Sequence, residues 1–307
     1  MRVLITGASG FIGRHCVEAL LKRGCEVHAV SRGLPVGDAP GLIWHQADIL
    51  QPTGVTDVFS ECKPTHLIHA AWNVTNTAFL TSAENLLWAA RSIDLLYAAQ
   101  RHGVQRVVGI GTCAEYGLNH DLCDEHSTPM HPVGMYAQTK YATQVVFDAA
   151  AQAHGLSTAW ARLFFPYGFF DKPTKLIPYT IRQLSKGEPA EFSSGEQVRD
   201  LLFASDVGAA IVALLFSEVA GSVNIASGVA IRVCDVVRRI GELMGRPEFI
   251  RLGVRQTHDL QAKRWVASVN RLGHEIKWHP TMQLDDGLRA TIAAFCEVRR
   301  TSTKAIA

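Results

Sequence analysis

The chain has 307 residues, enough to bury a sizeable core as one large α/β unit or as two unequal lobes. Its hydrophobic content of 48% and charged content of 19% are typical of globular proteins and exclude a disordered chain. A formal net charge of +2 at pH 7 is too small to indicate nucleic acid or an acidic membrane surface as a partner, so local arginines must bind any anionic ligand.

The cysteines indicate a reducing compartment. They stand at positions 16, 25, 62, 113, 123, 234 and 296 and show no CxxC pair and no zinc spacing, so we predict no metal site. The chain has no run of about 18 apolar residues, which argues against a membrane span. The first predicted strand begins at Arg2, which leaves no room for a signal peptide. These features predict a soluble cytoplasmic protein without a membrane partner.

Short β-branched runs alternate with longer amphipathic stretches over the first two-thirds of the chain. Strands are predicted at Arg2–Thr6, Glu26–Ser31, Leu42–His45, His66–Ala70, Arg106–Ile110 and Thr158–Leu163. Helices are predicted near Gly10–Arg23, Thr53–Cys62, Ala83–Gly103 and Tyr136–His154. Because helix-length segments separate the strands, the strands should pair in parallel through right-handed crossovers. The predicted fold class is α/β, a doubly wound parallel (Rossmann) sheet.

The regular alternation ends at Pro166, beyond which prolines and glycines make the pattern irregular. We therefore predict a dinucleotide-binding Rossmann domain over residues 1–165, to which residues 200–221 return, beside a smaller C-terminal substrate lobe. That lobe is predicted to contain residues 166–199 and 222–297, followed by a flexible tail over residues 298–307.

A glycine-rich loop, T-G-A-S-G-F-I-G over Thr6–Gly13, joins the first predicted strand to the first helix. Of its three glycines, the first permits a tight turn, the second lets the backbone approach a pyrophosphate, and the third lets helix and strand pack closely. An ordinary strand–turn–helix link is the alternative, but the position between strand and helix favours a dinucleotide site. The predicted cofactor contacts are Gly7, Ser9, Gly10, Phe11, Ile12 and Gly13.

The end of the second strand indicates which dinucleotide binds. An acidic residue there would hold the ribose 2′-hydroxyl of NAD, but the chain reads Val30-Ser31-Arg32-Gly33. Ser31 can donate a hydrogen bond and Arg32 can offer a guanidinium fork to a 2′-phosphate, so NADP(H) is predicted rather than NAD. A solvated surface arginine is the alternative for Arg32. After the third strand, Asp48 is predicted to accept from the adenine amino group, with Ile49 beside it, or else to be a turn residue.

Tyr136 and Lys140 stand four positions apart in a predicted helix, so both side chains lie on one face. A phenol with an ordinary pKa near 10 is a poor acid–base catalyst at pH 7, but a neighbouring ammonium and an oxidised nicotinamide stabilise the phenolate. Thr112, at the end of the fifth strand, can donate a second hydrogen bond to a substrate oxygen. The alternative is an exposed tyrosine with a surface lysine. The glycine loop and Thr112 favour a catalytic trio in a redox enzyme.

Together these motifs resemble the extended short-chain dehydrogenase/reductase family, in its nucleotide-sugar epimerase/dehydratase/reductase branch. The resemblance rests on the glycine loop, His69-Ala70-Ala71, Asn85, Thr112–Gly117, Tyr136…Lys140, Arg162…Pro166-Tyr167-Gly168, Gly195–Asp200, Val223–Gly228 and Lys277–Pro280. It implies that Thr112 and Tyr136 contact the reacting sugar oxygen and that Lys140 grips the nicotinamide ribose. It also implies cofactor contacts at Ala70 and Ala71, and diphosphate contacts at Arg199 and Arg255, for which a structural role is the alternative.

The chain departs from this family at positions that narrow the choice of reaction. Family dehydratases carry an Asp-Glu pair directly after the threonine, whereas this chain has Cys113 and Ala114, which cannot do that acid–base work at pH 7. Phe165 replaces a common asparagine and cannot donate to the diphosphate. Trp72 and Asn73 are predicted to line the sugar pocket, with a core position as the alternative for Trp72.

The resulting prediction is an NADPH-dependent enzyme that reduces the 4-keto group of a nucleotide-linked 4-keto-6-deoxy sugar, with Tyr136 as general acid. The pattern resembles CDP-abequose synthase-type 4-ketoreductases. Three alternatives stay open: an epimerase with tightly bound NAD, an NADPH reductase of a non-nucleotide carbonyl compound, and a non-catalytic NADP-binding protein. The predicted partner molecule is a nucleotide-diphosphate sugar.

A homodimer is also predicted. The helices near Ala83–Gly103 and Tyr136–His154 are apolar over more than one stripe, which is more than one contact with a sheet requires. The family resemblance implies that two copies pair these helices in an intersubunit four-helix bundle. Deep burial within one chain is the alternative.

Overall fold

The computed structural model describes residues 1–33, 37–51, 54, 56–74, 77–118, 120–256 and 262–304. The strands in that part of the chain are β1 (Arg2–Thr6), β2 (Glu26–Ser31), β3 (Leu42–Gln46), β4 (His66–His69), β5 (Arg106–Thr112), β6 (Ser157–Leu163), β7 (Phe165–Tyr167), β8 (Ala190–Glu191), β9 (Val198–Phe203), β10 (Gly221–Ile225), β11 (Ala230–Arg232), β12 (Ile250–Arg251) and β13 (Arg264–Trp265). The α-helices are α1 (Phe11–Lys22), α2 (Thr56–Cys62), α3 (Glu84–Arg101), α4 (Met135–His154), α5 (Leu176–Lys186), α6 (Ala204–Leu215), α7 (Val233–Leu243) and α8 (Leu284–Lys304). Single 3-10 turns cover Thr77–Leu80 and Cys113–Tyr116.

The main sheet has seven parallel strands in the order β10-β6-β5-β4-β1-β2-β3. The interior strand β1 is an apolar run in which Val3, Leu4 and Ile5 are 0% exposed, as expected where helices cover both faces of a parallel sheet. The strand order reverses at β1, between β2 and β4, which opens a crevice at the carboxyl ends of these strands. The predicted doubly wound α/β fold is confirmed.

Helices pack on both faces of the main sheet and form two separate cores. On one face α1 and α6 contribute Leu20 and Ile211 to a cluster with the strand side chains. On the other face α3 and α4 contribute Leu95 and Phe147. This arrangement places the first turn of α1 and the first turn of α4 near the carboxyl edge of the sheet, where the predicted site residues stand.

Smaller sheets form beyond β6. Strand β9 pairs with β11, β13 and β7, and β12 pairs with β8; α5, α7 and α8 pack around Ile181, Ile240 and Leu288. Strand β10 belongs to the main sheet and crosses the predicted lobe boundary at residue 222, and the backbone of α8 stays helical past residue 298 to Lys304. The division into two lobes remains a prediction. None of the helices in the described ranges is both long enough and apolar enough to cross a membrane.

Candidate active site

The glycine loop lies between β1 and α1 and forms a close-packed turn. Gly7 has φ +69°, and a Cβ there would lie 2.7 Å from the backbone nitrogen of Ala71. A Cβ at Gly13 would lie 2.0 Å from the carbonyl oxygen of Gly7. These positions therefore require glycine, and the resulting turn brings the loop against the end of β4. It leaves the N–H groups at the start of α1, from Phe11 and Ile12 onward, at the sheet edge, where such groups bind pyrophosphate.

The end of β2 lies directly against this loop. The hydroxyls of Ser9 and Ser31 are 3.0 Å apart, and Ser31 Oγ also accepts from the backbone N–H of Gly33 at 3.3 Å. Ser31 is 7% exposed, whereas Arg32 is exposed and adjacent. The structure thus places a serine pair and an arginine at one corner of the crevice.

Asp48 and Ile49 follow β3 at the same edge. Asp48 Oδ1 accepts from the backbone N–H of Leu50 at 3.1 Å, so this carboxylate forms a local turn. Ile49 is buried at 5% exposure. The turn role, predicted as an alternative for Asp48, is present in the structure, and the contact with adenine remains a prediction.

Thr112 and Tyr136 meet at the carboxyl end of β5. Thr112 is the last residue of β5 and Tyr136 lies in the first turn of α4, and their side chains lie close enough for the Thr112 hydroxyl to affect the pKa of the phenol. Burial raises the pKa of the Tyr136 phenol above its ordinary value, although the interaction with Thr112 partly opposes that rise. The phenol is therefore protonated at neutral pH, and its raised pKa makes it a weaker acid than a free tyrosine.

Lys140 lies one turn further along α4 and is buried at 5% exposure. Its Nζ donates to the carbonyl oxygen of Ile110 at 2.8 Å and lies 3.7 Å from the centroid of the Trp72 ring. Burial lowers the pKa of the Lys140 ammonium to about 7, against the attraction of Glu115. Burial, followed by the charge of Lys140, lowers the pKa of His69 to about 3, so this neighbouring imidazole is neutral at pH 7.

A buried ion pair supports the turn that carries Thr112. Glu115, 0% exposed, accepts from the backbone N–H of Thr112 at 2.8 Å, from Trp160 Nε1 at 3.1 Å and from Arg162 Nε at 2.9 Å. Arg162, 1% exposed, also donates to Tyr116 Oη at 2.8 Å. The sequence interpretation included Glu115 and Arg162 only as parts of motifs. The spacing Thr-x-x-Glu, which is typical of a capping box, is the signal that identifies this support.

Cys113, which the family resemblance places where dehydratases carry an aspartate, is buried at 4% exposure. Burial raises the pKa of this thiol far above its ordinary value. Cys113 therefore stays protonated at neutral pH, and neither it nor Ala114 provides an acid–base group for loss of water.

Arg199 is a buried guanidinium without a carboxylate partner among the described residues. It is 7% exposed, and its Nη1 donates to the carbonyl oxygen of Val198 at 2.8 Å. Its guanidinium carbon lies 5.2 Å from the ring centroid of Phe165 and 5.3 Å from that of Trp265. Burial lowers the pKa of Arg199, and no carboxylate opposes that effect. Such a group favours a bound anion because a buried charge is costly unless it is paired.

Arg255 lies in a different cluster from Arg199. It is exposed, its Nη2 donates to Tyr179 Oη at 2.8 Å, and its backbone N–H donates to the carbonyl oxygen of Phe192. No contact recorded among the described residues joins this cluster to Arg199 and Phe165. The structure therefore brings Phe165 to Arg199 but not to Arg255.

Trp72 and Asn73 follow β4 and point to different neighbours. The Trp72 ring contacts the Tyr136 ring edge-on, with centroids 6.4 Å apart, in addition to Lys140. Asn73 Nδ2 donates to Glu84 Oε2 at 2.7 Å, at the start of α3. Trp72 thus contacts Tyr136 and Lys140, while Asn73 is hydrogen-bonded to the start of α3.

Known proteins share both the sequence pattern and the fold. The sequence profile of the NAD dependent epimerase/dehydratase family matches residues 3–226. The dTDP-glucose 4,6-dehydratase of Mycolicibacterium smegmatis is 28% identical over 313 residues, which cover 95% of this chain and 92% of that protein. The solved structure of Thermus thermophilus UDP-glucose 4-epimerase in complex with NAD is 28% identical, with a TM-score of 0.86 over 96% of this chain and 99% of the other. The UDP-glucose 4-epimerase of Thermotoga maritima, 23% identical, has the same fold, with a TM-score of 0.88 over 97% of this chain and 100% of the other.

Proposed function

Because the chain belongs to the NAD dependent epimerase/dehydratase family, we propose that it uses NADPH to reduce the 4-keto group of a nucleotide-linked 4-keto-6-deoxy sugar. The observation that carries this proposal is the meeting of Thr112 and Tyr136 at the carboxyl end of β5, with the buried Lys140 one turn further along α4. Cys113 and Ala114 stand where dehydration requires acidic residues. Thr112, Tyr136 and Lys140 can therefore support proton transfer at one sugar oxygen but not the loss of water.

The cofactor fits the glycine loop, because at Gly7 and Gly13 a Cβ would fill the space that the turn needs. When bound, NADPH supplies the hydride that reduces the carbonyl carbon. Tyr136 donates its phenolic proton to the carbonyl oxygen, and the Thr112 hydroxyl donates a hydrogen bond to the same oxygen as negative charge develops there. The ammonium of Lys140, on the same face of α4, stabilises the phenolate that remains.

Arg199 supports a nucleotide-diphosphate substrate. A diphosphate provides the anionic partner that this buried guanidinium lacks among the described residues. The flanking rings of Phe165 and Trp265 restrict the guanidinium to a narrow range of orientations. A substrate without a phosphate would leave the Arg199 charge unpaired.

An epimerase that keeps NAD bound is the second candidate, favoured by the similarity to the Thermus thermophilus UDP-glucose 4-epimerase, whose structure contains NAD. Two measurements distinguish the candidates. Nucleotide-linked 4-keto sugars are screened for NADPH oxidation, with the products identified by NMR, and nucleotide released from denatured protein is identified. NADPH oxidation supports the reductase. If the protein instead releases tightly bound NAD, interconverts sugar epimers and shows no net NADPH oxidation, it is an epimerase and not a reductase.

The wild-type protein is expected to prefer NADPH over NADH by about ten-fold or more. Charge-assisted contacts of the 2′-phosphate with Ser31 and Arg32 are worth roughly 1.5–3 kcal/mol each, and about 1.4 kcal/mol is one decade in affinity. Ser31→Asp combined with Arg32→Asn should reverse the order, because a ribose acceptor replaces the phosphate fork. Titration of both cofactors into both proteins tests this, with Arg289→Asn, an exposed arginine on α8, as the control. Equal affinities in the wild type would favour the epimerase.

The protein is expected to be a homodimer at micromolar concentration. Leu86, Leu87, Ile93 and Tyr97 on α3 are 40–59% exposed, as is Val145 on α4 at 48%, so these side chains are not buried within the chain. A second copy that pairs the same helices would cover them. Light scattering should report a dimer for the wild type and a monomer for Leu86→Glu with Tyr97→Glu. Val229→Glu, at an exposed position outside these helices, should leave the dimer intact; a monomeric wild type would contradict the proposal.

A further inference from the structure

The Trp72 ring lies across the ammonium of Lys140. The distance from Lys140 Nζ to the ring centroid is 3.7 Å, well within the range of a cation–π interaction. The same Nζ donates one hydrogen bond, to the carbonyl oxygen of Ile110. Among the described residues, no other hydrogen bond of this ammonium is recorded, so an aromatic face takes the place of a second polar partner.

Neighbouring residues fix the orientation of this ring. Trp72 Nε1 donates to Asn85 Oδ1 at 2.8 Å, and Asn85 Nδ2 donates in turn to the carbonyl oxygens of Phe79 and Ser82 at 2.6 and 2.9 Å. The ring also stacks on Trp88, with centroids 6.2 Å apart. Because Asn85 is 2% exposed, the hydrogen bond that holds the indole is protected from water. The face of Trp72 is thus held toward Lys140 by groups on α3 and the turn before it.

Other ionisable groups face Lys140 from the surrounding elements. Glu115, in the turn after β5, attracts the ammonium but is itself paired with Arg162 at 2.9 Å. His69, on β4, is neutral near pH 7 because burial lowers its pKa to about 3. Tyr136, on α4, is protonated because burial raises its pKa. The Ile110 carbonyl and the Trp72 face are therefore the two direct contacts of the ammonium that favour its charged form.

We propose that Trp72 is a positioning residue that keeps Lys140 charged and holds its ammonium near the carboxyl end of β5 in the unliganded protein. The electron-rich face of an indole attracts a cation, and this attraction is stronger where water is excluded. The catalytic consequence rests on the proposed reduction, in which a charged Lys140 stabilises the phenolate. This role differs from lining the sugar pocket, because it acts through Lys140 and not through the substrate.

The direct test is the pKa of Lys140 itself, measured on the full chain without substrate. Lysine labelled with ¹³C at Cε is titrated by NMR, and the Lys140 resonance is assigned by its loss in Lys140→Met. Trp72→Leu and Trp72→Met remove the aromatic face, so the pKa of Lys140 should fall by about 1. Trp72→Phe keeps an aromatic face and should show less than half that fall.

Trp44→Leu is the matched control, because Trp44 lies on β3 and its Nε1 bonds to Gly37. It should leave the pKa of Lys140 unchanged. Methionine is unbranched and flexible and can fill an irregular gap, so Trp72→Met serves if Trp72→Leu fails to fold. The inference is overturned if the pKa of Lys140 in Trp72→Met equals the wild-type value. It is also overturned if that pKa falls as far in Trp72→Phe as in Trp72→Met.

Turnover separates this inference from the proposed function. A lysine whose pKa is lowered loses its charge at a lower pH. In Trp72→Met, kcat should therefore begin to fall at a lower pH on the alkaline side, by the same shift as the pKa of Lys140. If the NMR shift appears but no 4-keto sugar is reduced, the proposed function is wrong and the role of Trp72 stands. If reduction occurs but both pKa and pH profile match the wild type, the role of Trp72 is wrong and the function stands.

Discussion

Tyr136→Phe is expected to lower turnover by about two to four decades and to leave the affinity for NADPH nearly unchanged. The change removes one hydroxyl, while the ring keeps its contacts with Trp72 and Phe79, whose centroids lie 6.4 and 4.7 Å away. What is lost is the proton donor and its interaction with Thr112. Because burial keeps this phenol protonated at neutral pH, its removal takes away the group that protonates the carbonyl oxygen.

The measurement is single-turnover NADPH oxidation with a substrate identified by screening, alongside NADPH titration by fluorescence. Tyr141→Phe is the matched control, because it makes the same chemical change just over one helical turn further along α4, and we expect wild-type turnover. Near-normal turnover in Tyr136→Phe would show that another group donates the proton. Lys140→Met should differ from both variants by weakening NADPH binding as well as turnover, because Lys140 is proposed to serve the ribose and the tyrosine.

The main sheet could be predicted from the sequence because its strands are buried on both faces and read as continuous apolar runs. For strand β5, the apolar run in the sequence predicts a strand that is two residues too short. It was predicted to stop at Ile110 but continues to Thr112. Gly109 and Gly111 weaken the strand signal, yet both pack against Trp160, where a Cβ at Gly109 would lie 2.4 Å from the ring. Pairing with β6, which continues to Thr112 opposite Leu163, carries β5 past these glycines.

The candidate site was predictable where its signal is local. The glycine loop and the Tyr-x-x-x-Lys pair are short patterns whose geometry follows from one turn and one helix. The cation–π contact of Trp72 with Lys140 and the aromatic flanks of Arg199 join residues far apart in sequence, and only the fold brings them together. The burial of Arg199 without a carboxylate has the same origin, because exposure is a property of the folded chain.

The support of Thr112 by Glu115 lies between these cases. The spacing Thr112-x-x-Glu115 is local and indicates a capping box, but the partner of Glu115, Arg162, comes from β6. A capping glutamate is usually exposed, whereas this one is 0% exposed. Glu115 still caps the turn, and its burial also makes it half of an interior ion pair, whose loss has a measurable cost.

Glu115→Gln is expected to lower the free energy of unfolding by about 3–5 kcal/mol. The substitution keeps the shape of the side chain and an acceptor for the Thr112 N–H, but it removes the charge that pairs with Arg162 at 2.9 Å. Arg162 is 1% exposed, so water cannot replace the lost carboxylate. Denaturant unfolding at pH 7 measures the loss.

Asp235→Asn is the control, because the Asp235 carboxylate also lies 2.9 Å from an arginine, Arg232. This pair is at the surface, where solvent screens it, so the free energy of unfolding should change far less. Equal effects of the two substitutions would mean that the buried pair contributes no more than a surface pair.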